Sequence, residues 1–135
     1  MTFELREHTA DVAVEATGET LADVFEAVAS GLSAAHCESI PETGDRFTVT
    51  VRAESREALL FDYLDELIYQ RDVRGVLPVD HRVSVDEDGT LTLDASARGV
   101  PVGDIEAREI KAVTYSEMAL ERGPSGWRAY VVFDV

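Results

Sequence analysis

Twelve residues of this chain are basic, and eleven of them are arginine; the remaining one is Lys111. An ammonium is a compact, freely rotating point charge where a guanidinium is a planar fork. A chain that uses arginine everywhere else therefore marks Lys111, in Glu109-Ile110-Lys111-Ala112-Val113-Thr114-Tyr115, as a candidate for contact with a phosphate or similar anion. The plain alternative is a compositional habit with one survivor. A second chemistry stands in Val131-Val132-Phe133-Asp134-Val135, where the Asp134 side chain and the Val135 α-carboxylate are two anionic oxygen groups one residue apart. Oxygen-only donors suit a hard divalent cation, Ca²⁺, Mg²⁺ or Mn²⁺, better than zinc. Asp11, in Glu7-His8-Thr9-Ala10-Asp11-Val12, lies on a turn before a strand. If strand pairing carries it to residues 134 and 135, three oxygen anions converge, with Lys111 nearby to offset their repulsion when no cation is held. His8 fits the role of orienting the Asp11 loop rather than ligating. With twenty-seven Asp and Glu in the chain, any such trio reads first as solvated surface until the fold brings it together.

Other signals carry less. Asp86-Glu87-Asp88-Gly89 resembles part of a calcium loop but lacks the remaining ligands, and a hairpin turn accounts for it. Asp62 and Glu66, one helical turn apart, read as a solvated face. His36-Cys37 has no partner at the spacing of a metal or nucleophile site. Thr114, Tyr115 and Ser116 offer hydroxyls without the His and Asp of a triad. No glycine-rich phosphate loop is present, and no residue is assigned a catalytic role.

The elements that must position these groups follow from periodicity. Residues 3–6 and 12–17 alternate as short strands. Thr20 caps a helix whose apolar face is Leu21, Val24, Phe25, Val28 and Leu32, fading at residues 34–37. Residues 39–45 form a loop, and Phe47, Val49 and Val51 alternate with Thr48, Thr50 and Arg52 as a half-buried strand. Ser55 caps a second helix with the stripe Leu59, Leu60, Tyr63, Leu64, Leu67 and Ile68, leaving Asp62, Asp65, Glu66 and Tyr69 toward the other side; Gly75 and Pro78 end it. Val83 to Ala95 is a hairpin about Asp88-Gly89. Residues 99–104 are a loop, followed by an irregular stretch to Arg108. Residues 111–122 and 127–135 form a second hairpin across Gly123-Pro124-Ser125-Gly126. The expected fold is α+β, a two-layer sandwich of two helices on a largely antiparallel or mixed sheet of about seven strands, in one domain spanning residues 1–135.

Composition bounds the setting. A formal charge of -15 and a pI near 4.4, with carboxylates scattered through periodic apolar segments, describe a folded acidic chain rather than a disordered one. Acidity with almost no lysine fits a salt-rich, halophilic cytoplasm, where screening shortens to about 3 Å at 1 M and self-repulsion is muted. The charge disfavours direct contact with nucleic-acid phosphates. Cys37 is alone, which rules out an intrachain disulfide. The acidic N-terminal stretch does not read as a signal peptide and no run is long enough to span a bilayer, so a cytoplasmic location is expected.

Three separated segments together resemble one family. His8-Thr9-Ala10-Asp11-Val12, the stretch Leu59-Leu60-Phe61-Asp62-Tyr63-Leu64-Asp65-Glu66-Leu67-Ile68-Tyr69, and Glu109-Ile110-Lys111-Ala112-Val113-Thr114-Tyr115 with the closing Phe133-Asp134-Val135 are similar to the archease family, in order and over essentially the whole length. The resemblance implies a cytoplasmic, non-catalytic activator of the GTP-dependent RNA-splicing ligase of tRNA splicing, promoting guanylylation of the ligase's active-site histidine and multiple turnover, with RNA contacted only indirectly. It implies a metal site at Asp11, Asp134 and Val135, with Ca²⁺ first and Mg²⁺ or Mn²⁺ as alternatives, and a functional lysine at Lys111. Ser116 stands where the family usually shows His, and Tyr63 and Asp65 where Trp and Asn are common. Two other readings stay open: a chaperone or modulator of a tRNA cytosine methyltransferase, and a metal-dependent hydrolase.

Overall fold

The computed structural model describes residues 2–8, 11–105 and 107–135. In chain order the elements are β1 (Thr2–His8), β2 (Asp11–Gly18), α1 (Leu21–His36), β3 (Asp45–Ala53), α2 (Arg56–Arg74), β4 (Val76–Asp86), β5 (Leu91–Pro101), a short 3-10 turn (Val102–Asp104), β6 (Ala112–Gly123) and β7 (Gly126–Asp134). Both helices start where their caps predict: Thr20 Oγ1 accepts the Asp23 amide at 3.1 Å and Ser55 Oγ accepts the Ala58 amide at 3.1 Å. Gly75 ends α2 in the left-handed region, φ 65°, its amide donating to the Arg71 carbonyl.

The fold is α+β, and every recorded strand pair is antiparallel. The strands divide into two sheets, β1-β2-β7-β6 and β3-β5-β4, rather than forming one. Both helices touch both sheets: α1 packs on β2, β1 and β7 of the first and β4 of the second, and α2 on β6 of the first and β3, β4 and β5 of the second. The helix stripes thus fill one core from two sides. Phe25 of α1 and Tyr63 of α2 stack at its centre, ring centroids 6.4 Å apart. A Cβ on Gly31 would come within 2.5 Å of Val14, so glycine lets α1 lie close against β2.

Two expected boundaries move. Pro78 does not follow the helix as a breaker but lies in β4 opposite Gly99, on the edge strand of its sheet, where a missing amide is tolerated. Gly99 to Pro101, expected in a loop, belong to β5, with Val100 fully buried in a satellite cluster of Cys37, Leu77 and Val79. Among the described residues no helix is long and apolar enough to cross a membrane.

Candidate functional site

Packing of β7 decides where Asp134 stands. Ala129, Val131 and Phe133 are fully buried in the main core, and because strand side chains alternate, a one-residue slip would expel all three. With that register locked, Asp134 lies directly opposite Asp11 of β2 on one side and Ala112 of β6 on the other. Residues facing each other across antiparallel strands project from the same face, about 5 Å apart at Cα. The two aspartates therefore share one face, Asp134 exposed and Asp11 half-buried. Asp11 Oδ1 is buried without a hydrogen-bond partner among the described residues. A carboxylate oxygen left so is costly unless a cation or donor meets it. Val135 continues from Asp134, half-buried against the main core.

Lys111 enters the same group through its backbone. Its amide donates to the Asp134 carbonyl at 2.8 Å, and its side chain is exposed. The residue before it is held from below. Arg71 Nη1 donates to the Ile110 carbonyl at 2.6 Å and to His36 Nε2 at 2.8 Å. His36 Nδ1 donates to the Leu32 carbonyl at 2.9 Å, which leaves Nε2 as the acceptor and fixes one neutral tautomer. Burial, first of all, pushes the His36 pKa down to about 4; the Leu32 bond opposes this and the Arg71 charge adds to it. Asp72 Oδ1 accepts from Arg71 Nε at 3.0 Å and lies 2.9 Å from Nη2, and the Arg108 amide donates to the His36 carbonyl at 2.6 Å. Residues 108–111 are thus tied at three points, to α1, to α2 and to β7.

The structure brings Asp11, Asp134, Val135 and the backbone of Lys111 to one place. The backbone of His8 pairs with Asp11 at the end of β1; the orienting role expected of its ring lies outside the described residues, as do Thr9 and Ala10. Asp62 and Asp65 are exposed on α2, while Glu66, half-buried, accepts from Gln70 at 2.8 Å, in keeping with a mostly solvated face. The Asp86–Asp88 turn is closed by its own bond, Asp88 amide to Asp86 Oδ1, 2.9 Å. Among the described residues no group of three or more His, Cys, Asp or Glu is placed to hold a metal ion.

Arg71 escaped the sequence reading, and His36 was weighed there only as a metal or nucleophile site, though a signal for their pairing existed. His36 continues the α1 stripe four residues beyond Leu32, and Arg71 continues the α2 stripe four beyond Leu67. A cation and an imidazole on apolar stripes point to buried partners.

Fold and site describe a small α+β protein whose distinctive group is a pair of facing strand-end aspartates beside a pinned lysine. The Archease protein family matches residues 3–135. Protein archease of Pyrococcus furiosus is 36% identical over 140 residues, covering 98% of each chain, and that of Thermococcus gammatolerans is 38% identical over 140 residues with the same coverage. The solution structure of Methanobacterium thermoautotrophicum protein 1598 superposes with a TM-score of 0.86 at 31% identity, covering 98% of both chains. The crystal structure of a Thermotoga maritima archease, described as a possible chaperone, shares the fold with a TM-score of 0.67 at 23% identity. This chain belongs to the archease family.

Proposed function

We propose that this chain is a non-catalytic accessory protein that activates the GTP-dependent RNA-splicing ligase of tRNA splicing, raising ligase guanylylation and allowing multiple turnover in the cytoplasm. Family membership supports the accessory role. The observation that carries the finer reading is the facing pair Asp11 and Asp134, with Asp11 Oδ1 buried and unpartnered among the described residues. Asp11, Asp134 and the carboxyl group of Val135 would hold a divalent cation, Ca²⁺ first and Mg²⁺ or Mn²⁺ as alternatives, since all three donors are oxygens. Such a cation offsets negative charge on phosphate oxygens brought near it. Lys111 contributes an ammonium on a backbone tied to Arg71 through Ile110 and to Asp134 through its own amide, so little backbone freedom is lost when it meets an anion. His36, neutral and fixed, keeps Arg71 aimed at Ile110. The ligase itself contacts RNA; this protein acts on the ligase.

The test is guanylylation and multi-round RNA joining by purified ligase with GTP and Mn²⁺, at matched high salt. Wild-type protein stimulates both. Asp11→Ala, Asp134→Ala, Lys111→Met and a chain extended beyond Val135 each lose most of the stimulation, about tenfold or more; full stimulation by all four rejects the proposal. The second reading, a chaperone or modulator of a tRNA cytosine methyltransferase, draws on the description of the Thermotoga maritima relative as a possible chaperone. It predicts that native pull-down recovers the methyltransferase, and that the four variants work as well as wild type.

A further inference from the structure

Tyr69 and Val73 of α2 and Tyr115 of β6 are half or more of their surface exposed, at 57%, 62% and 55%. Glu57, Phe61, Asp65, Tyr69 and Val73 recur every four residues, forming an i, i+4 ridge that winds slowly around the helix. Tyr115 reaches this ridge because β6 bulges. Between Thr114 and Ala119, residues 115–118 stand opposite Val131 alone, and Glu117 turns through the left-handed region at φ 61°. The result is a parallel stack of Tyr115 on Phe61, centroids 4.1 Å apart and rings 2° from coplanar. A surface depression of about 500 Å³ between α2 and β3 is lined by Asp62, Asp65, Glu66 and Tyr69 of the helix and by residues 50–52 of the strand.

Apolar rings exposed together mark contact surfaces, and the charges around them state what kind of contact. Phe61 covers one face of the Tyr115 ring, and Tyr115 stays 55% exposed despite the stack. The Tyr115 hydroxyl is raised above its ordinary pKa, by partial burial first and then by Asp62 and Glu57, so both carboxylates bear on the ring's polar end. A guanidinium is the cation that can lie flat on an aromatic face and bond a carboxylate at its edge at once. An ammonium is more strongly hydrated and lacks the flat fork. Phosphate-bearing partners are repelled here, and a second copy of the chain would bring the same acidic ridge.

We infer that the α2 ridge from Glu57 to Val73, capped by Tyr115, is a docking surface for an arginine-bearing basic segment of a partner protein, with the guanidinium stacked on Tyr115 and paired with Glu57 or Asp62. This does not depend on the cation reading: it uses none of the residues assigned to that site. The test is amide-resolved NMR titration of the isotope-labelled protein with a short arginine–leucine peptide at low salt, beside its lysine–leucine counterpart. Shifts are expected to centre on residues 57–73 and 115. Affinity falls about tenfold in Tyr115→Ala and in the pair Asp62→Asn/Asp65→Asn, and is weaker for the lysine peptide. It is unchanged in Glu42→Gln/Asp88→Asn, which removes the same charge from exposed positions elsewhere. Equal losses in both double variants would reduce the effect to net charge and overturn the proposal. So would shifts confined to other surfaces, or self-association of the chain through this ridge.

Discussion

Two ends of one β-ribbon handle their carboxylates in opposite ways. At one end Glu15 of β2 meets Arg128 of β7, Nη2 to Oε2 at 2.9 Å, and the same guanidinium lies 3.7 Å from Glu121 of β6. Four residues along β2, Asp11 faces Asp134, two acids opposite each other, with one Asp11 oxygen buried and unpartnered among the described residues. Like charges directly opposite on a sheet are destabilising, so the second arrangement persists only where something else favours it. The same strands, in the same register, could have carried an arginine here as they do at the other end. The contrast separates a carboxylate that an arginine meets across the strands from a facing pair of acids for which we propose a cation.

The largest expected effect tests whether acid sensitivity belongs to that pair or to the buried imidazoles. His36 and His81 are both held down to about 4, in each case chiefly by burial. Because their folded pKa lies below the unfolded value of 6.5, the unfolded chain takes up protons first. Stability is therefore full above about pH 6.5 and falls as pH drops toward 4, by roughly 3 kcal/mol for each histidine. Urea unfolding at pH 7 and pH 4.5 reads this loss, and His81→Gln should remove about half of it. A loss left equally steep in His81→Gln and His36→Gln would move the acid sensitivity to the carboxylates and blur the contrast.

Next in size is the cation itself. At a hundredfold excess over its dissociation constant, Ca²⁺ should raise stability by about 3 kcal/mol, seen as an upward shift in thermal unfolding. Asp11→Asn and Asp134→Asn should abolish the shift and Glu15→Gln should keep it. A response lost on changing Glu15, or missing from the wild-type chain with Mg²⁺ and Mn²⁺ as well, breaks the comparison. The smallest effect is at the satisfied end, where the Arg128 pair is partly exposed and screened. Arg128→Ala should cost under about 1 kcal/mol and leave the Ca²⁺ response as it was; a cost of several kcal/mol would make that end a structural clamp.

The helices were the most legible elements, since Thr20 and Ser55 announce their caps and the leucine stripes set their buried faces within a few residues. The hairpin turns at Asp88-Gly89 and Gly123–Gly126 were equally plain. Less legible was the start of β4, residues 76–79, because Pro78 reads as a breaker unless it is known to sit on a sheet edge. The swing of Tyr115 onto Phe61 was hidden too: a bulge is a mismatch between two strands, and neither strand displays it alone.

Residue chemistry by itself determined which groups were available: one ammonium, two aspartates with oxygen-only donors, two amphipathic helices and seven strands of the right lengths. Local propensity and alternation act over a few residues, so they name such elements and assign each side chain a face. Tertiary structure alone decided that Asp11 and Asp134 face one another, that the strands part into two sheets, and that Arg71 reaches Ile110 to pin Lys111. Each of these joins residues far apart in the chain, and their meeting is set by core burial of Phe133, Val131 and the helix stripes, whose cooperative packing no short window of sequence contains.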